Sequence, residues 1–196
     1  MIITNKILNQ KIENSPSRFD MAICFYCCLK IKEKYYLVAY DYNPAWNLYF
    51  PFYDDLNKTP VLQESKATTY GELIDETNKT LNINLDEKLN LAKKRFKELL
   101  GCNCTVKPSK INEMFELKHS KSTDIYSIYK FYNFILTDVE NLNLLLNPCN
   151  LKCELFEIEN LENTNLASNA IAFTKKSINE LKENAIKWNN MKKGNL

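Results

Sequence analysis

With 196 residues, the chain is long enough for one domain with a hydrophobic core and too short for two comfortable ones. Hydrophobic residues make up 45%, which excludes a wholly disordered chain; 26 Lys and Arg against 24 Asp and Glu leave a net charge of +2, with no strong field towards nucleic acid or an anionic membrane. Met1 to Asp20 lacks the apolar run of a secretory signal, and no later stretch reaches the ~18 apolar residues of a membrane span, so the expected location is cytoplasmic.

Met1–Asp20 reads as an N-terminal arm, residues 21–190 as the domain and 191–196 as a tail. Ala22–Leu29 and Tyr35–Tyr42 are aromatic- and β-branched-rich, and the charged stretch Lys30–Lys34 between them predicts a hairpin. Trp46–Phe52 predicts a short strand running into a polar loop. A first helix follows, with Ala67, Tyr70, Leu73, Ile74, Thr77 and Leu81 on one face and Glu72, Asp75 and Glu76 on the other. A second places Leu85, Leu89, Ala92, Phe96, Leu99 and Leu100 on one face, with acidic residues at its start and Gly101 to stop it.

Ile111–Lys118 and Ile125–Thr137 predict two strands joined by a polar turn, Cys153–Ile158 predicts another, and Ser168 to Trp188 closes the chain as an amphipathic helix. The fold class is therefore α/β.

Seven cysteines are an odd number, and Cys24, Cys27 and Cys28 crowd into one apolar strand, which favours reduced core thiols. Cys24 and Cys27 point to opposite faces of such a strand, which argues against a redox pair. Cys102, Cys104, Cys149 and Cys153 supply four thiols, but their spacings do not match the usual zinc knuckle. The aromatics Tyr126, Tyr129, Phe131, Tyr132 and Phe134 could stack bases on an open sheet; the other reading is a sheet packed against helices on both faces, and the near-neutral net charge favours it.

The order of elements, with Asn43–Pro51 followed by Phe52 and Tyr53 where a Trp-x-Leu-Pro-Gly-Gly stretch is common, and with Glu154–Ala185 as last strand, turn and closing helix, resembles the Nudix superfamily over Ala22 to Ala185. The resemblance implies a mixed β-sheet flanked by helices, an α/β/α sandwich. It also implies a nucleotide-type ligand, such as a nucleoside diphosphate derivative, and a carboxylate-bound Mg²⁺ or Mn²⁺ where hydrolysis survives.

Two registers compete for the family's box. In the first, Lys94 to Cys102 stands on the motif: Lys94 replaces its arginine, Arg95 its first glutamate and Leu99 its third, while Glu98 keeps the second and Asp86 the upstream one. This register implies a binding domain with hydrolysis weakened or lost, in which Lys94 and Arg95 contact phosphate directly and Glu98 is the remaining catalytic candidate. In the second, Gly71 to Asn78 stands on the motif, and Glu72, Asp75 and Glu76 form a candidate metal site for an active Mg²⁺-dependent hydrolase. His119, the one histidine, falls near a turn where it could reach a ligand phosphate or face water. A protein-interaction domain on the same fold is a third reading. Relatives of this divergent kind occur in bacterial nucleotide signalling and defence.

Overall fold

A computed structural model describes residues 17–41, 52–53, 85–120, 125–148, 152–162 and 164–189. The predicted helix over 67–81, with Glu72, Asp75 and Glu76, lies outside them, as does Cys149.

The described chain is mixed α/β. Strands β1 (Ser17–Tyr26), β5 (Cys104–Ser120) and β6 (Ile125–Val139) form one sheet in the order β1-β6-β5. Its β1–β6 pair is parallel and its β5–β6 pair antiparallel. The second sheet runs β4 (Phe52–Tyr53), β3 (Lys34–Asp41), β2 (Cys28–Ile31), β8 (Ile186–Lys187), with β7 (Cys153–Glu157) also paired to β3. The helices are α1 (Leu85–Leu100), α2 (Leu142–Leu146) and α3 (Ser168–Glu183).

One extended segment joins the sheets. β1 and β2 are separated only by Cys27, whose carbonyl still accepts the amide of Val38 (3.0 Å), so the chain passes from one sheet into the other without leaving extended geometry. The predicted hairpin is β2–β3, pairing Ile31 with Lys34 across a turn in which Lys32 takes φ 54°.

Alternation along this segment builds two cores. Cys24, Tyr26 and Cys28 face α3, packing with Phe173, Ala170 and Leu181. Ile23, Phe25, Cys27 and Leu29 face α1, packing with Ala92, Phe96 and Leu100. A strand buried on both faces needs apolar residues at both parities, which is why Ile23–Leu29 reads as a continuous apolar run. β6 repeats the pattern, with Phe131 and Ile135 on the α3 side and Tyr132, Phe134 and Leu136 on the α1 side. Helices thus cover both faces where Phe131, Tyr132 and Phe134 lie. The side chains of Tyr126 and Tyr129 are outside the described set.

The structure departs from the sequence reading in three places, and in the last of them it shortens the closing helix expected over Ser168–Trp188. β5 begins at Cys104 rather than Ile111, and the irregularity between Pro108 and Glu113 breaks its register there, hiding the first half of the strand from a period-two pattern. α2 is a single short helix capped by Asn141, whose side chain accepts the amides of Asn143 and Leu144. α3 stops at Glu183, because Ile186 pairs with Leu29 on the open edge of β2 and the Trp188 amide donates to Lys30 O (3.0 Å).

Candidate functional site

The first-register motif lies on α1. Asp86 and Glu87 in the first turn and Lys97 in the last complement the helix dipole, and Gly101 ends the helix in the left-handed region (φ 68°), its amide donating to Lys97 O (2.8 Å). From there Asn103 leads into β5, anchored by Glu140: the carboxylate accepts the Asn103 amide (3.2 Å) and its side-chain Nδ2 (2.7 Å).

Phe96, the apolar position of the motif, is fully buried. Its ring lies 5.8 Å from that of Phe25, which lies 6.3 Å from Phe134. This aromatic row fixes the rotation of α1 about its axis, and with it the direction of the neighbouring charged residues. Lys94 and Glu98 are exposed and pair across one turn at 4.0 Å. Arg95 follows Lys94 in the helix, and its side chain lies outside the described set.

The remaining candidates are distributed as follows. His119 pairs through its backbone with Tyr126. At about 3.3 Å per residue, β6 rises about 40 Å between Val139 and Tyr126, so His119 sits at the far end of the ladder from the α1–β5 junction. Among the described residues, no three of His, Cys, Asp and Glu are grouped so as to hold a metal ion.

A charged group that the sequence reading passed over lies on the α1 side of the sheet. Lys130 is buried on β6, its Nζ 3.1 Å from Glu113 Oε2, 4.5 Å from the Tyr132 ring centre and 5.5 Å from that of Phe115. Lys130 stands opposite Phe115, and Tyr132 opposite Glu113, so two cross-strand pairs make a square. The carboxylate and the two ring faces hold an ammonium group that burial alone would destabilise. The available signal was parity: Lys130 shares the strand face of Tyr132 and Phe134.

The described thiols pack into the two cores and their margins. The six described cysteines are free. Cys24 lies in the α3-side core and Cys27 in the α1-side core, on opposite faces as strand geometry requires. Burial pushes Cys28 up to about 12, Cys153 to about 12 and Cys104 to about 11, so none of these three is a ready thiolate near neutrality. Tyr40 donates to Leu145 O at 2.5 Å and ties α2 down over this thiol-rich corner.

Comparison with protein-family models, curated proteins and solved structures finds no significant match to this chain. No helix among the described residues is long and apolar enough to cross a membrane.

Proposed function

We propose that the protein is a Nudix-like domain that binds a nucleotide or nucleoside diphosphate derivative through cations on α1, with hydrolysis weakened or lost. The observation that carries this reading is the setting of Lys94–Gly101. Phe96 turns into the core, Gly101 makes the left-handed exit into β5, and Lys94 and Glu98 are thereby left on the surface. That is the placement a phosphate-contacting helix needs. A lysine and an arginine at 94 and 95 can neutralise phosphate oxygens without an ion, and charge-assisted hydrogen bonds of this kind are about twice as strong as neutral ones. Lys94 is engaged by Glu98 only through an exposed pair, which costs little to break.

The test is binding and turnover with nucleoside di- and triphosphates, ADP-ribose and nucleotide sugars, in EDTA and in Mg²⁺. Binding is expected to persist in EDTA and to weaken at least tenfold in Lys94→Glu and in Arg95→Glu. Glu98→Gln, which releases Lys94, is expected to leave binding intact or tighten it. Mg²⁺-dependent turnover abolished by Glu72→Gln would replace this reading with an active hydrolase working from residues 71–78. Absence of any binding at millimolar ligand would leave a protein-interaction domain.

A further inference from the structure

The seam between α3 and β5 holds a buried carboxylate and several buried oxygen atoms without hydrogen-bond partners. Glu180 is 6% exposed, and its carboxylate accepts Ser109 Oγ (2.7 Å) and the Lys110 amide (3.1 Å to each oxygen). Among the described residues, no Lys or Arg nitrogen forms an ion pair with it; Lys110 Nζ reaches Glu183 instead, at 3.8 Å on the surface. A carboxylate offers about four lone-pair positions, so these contacts do not exhaust its capacity.

The network continues inward. Ser109 Oγ accepts the Ile111 amide (3.1 Å), and Ile111 O accepts Nδ2 of Asn133 (3.1 Å), a residue with 0% exposure. That last bond fixes the orientation of the Asn133 amide, leaving Oδ1 as a true acceptor with no partner. Asn112 Oδ1 and Ser177 Oγ are likewise buried without partners. Ser177 lies one turn before Glu180, where its backbone (φ −111°, ψ 16°) departs from helical geometry and divides α3. Further along α3, Thr174 Oγ1 and Asn169 Oδ1 are also buried and unpartnered.

An orphaned buried acceptor destabilises the fold, and a buried carboxylate without a cation does so further. A bridging water supplies protons to the acceptors and leaves the charge uncompensated. A cation answers both needs. The donor set is oxygen only, which selects hard cations, and it carries one formal negative charge, which selects a monovalent one.

We infer that the α3–β5 seam is a binding site for a monovalent cation such as Na⁺ or K⁺, with Glu180 supplying the charge and Asn133 Oδ1, Asn112 Oδ1 and Ser177 Oγ the neutral oxygens. The site lies on the sheet face opposite α1 and is independent of the function proposed above.

The experiment is thermal unfolding of the full chain in NaCl or KCl against choline chloride at equal ionic strength. The wild type is expected to gain about 4 °C in Na⁺ or K⁺, saturating with concentration. Asn133→Leu removes the orphaned oxygen together with the donor to Ile111 O, so it should unfold at a lower temperature in choline and show no further gain in Na⁺ or K⁺. Glu180→Gln should lose it as well. Equal stability in Na⁺, K⁺ and choline would overturn the inference, as would Asn133→Leu retaining the full cation response. Stabilisation by Ca²⁺ alone would overturn the monovalent assignment.

Discussion

The two helix–sheet seams use the same amphipathic logic and reach different interiors. Against α1, the contact is a row of rings, Phe96, Phe25 and Phe134, with Ala92 and Leu100 beside them. Against α3, Tyr26 and Phe173 stack with centroids 4.0 Å apart, but the same helix also buries Asn169, Thr174, Ser177 and Glu180. A dry seam resists loss of volume and tolerates few polar atoms. A polar seam depends on each hydrogen bond, because a broken one leaves its partner buried and unpaired.

Volume loss should be most costly on the dry side. Phe96→Ala is expected to destabilise by about 3–5 kcal/mol, the range for large buried aromatics, read as a lower urea midpoint at unchanged m. A loss under about 1 kcal/mol would mean that the aromatic row does not hold α1.

Alkaline pH tests the buried thiols of both seams. Cys28 and Cys153 are raised from an ordinary 9.0 to about 12 by burial, so the folded chain keeps these protons after the unfolded chain has begun to lose them. The stability they contribute is whole below pH 9 and is lost as pH rises from there towards 12. Together they should cost about 2 kcal/mol between pH 8 and pH 10, after discounting Cys153 for its partial exposure. The urea midpoint should fall over that interval, and Cys153→Ala should shallow the fall; identical pH profiles for variant and wild type would show that Cys153 is not the group responsible.

On the polar side, Ser109→Ala removes a donor to Glu180 and an acceptor for the Ile111 amide. A loss of about 1–2 kcal/mol is expected, with faster amide exchange at Ile111. Unchanged stability would mean that the Lys110 amide alone suffices to hold Glu180.

Much of the fold was legible because it is periodic. Ile23–Leu29, Leu85–Leu100 and Cys153–Glu157 follow patterns that packing enforces, and Gly101 stands where only a left-handed residue fits easily. The first half of β5 was hidden, since the irregularity after Pro108 breaks the alternation that identifies a strand. β8 was hidden because its two residues are strand only by virtue of the open edge of β2.

The candidate site was half legible. The pattern around Lys94–Gly101 marks a helix and its exit, while the square around Lys130 needs the cross-strand register of β5 and β6, which no local window contains. Glu180 and Ser177 look like ordinary polar members of an amphipathic helix until the bulge of β5 is placed beneath them.

The parallel pairing of β1 with β6 also bears on how the chain is made. Ser17 meets Tyr126, about a hundred residues later, so during synthesis β1 waits for a partner that the ribosome has not yet delivered. The β2–β3 hairpin can close at once, whereas the backbone of Ile23–Tyr26 stays unpaired until β6 emerges, even after α1 is available to Phe25. That interval makes β1 the natural target for a holding chaperone and the first place where the nascent protein would aggregate.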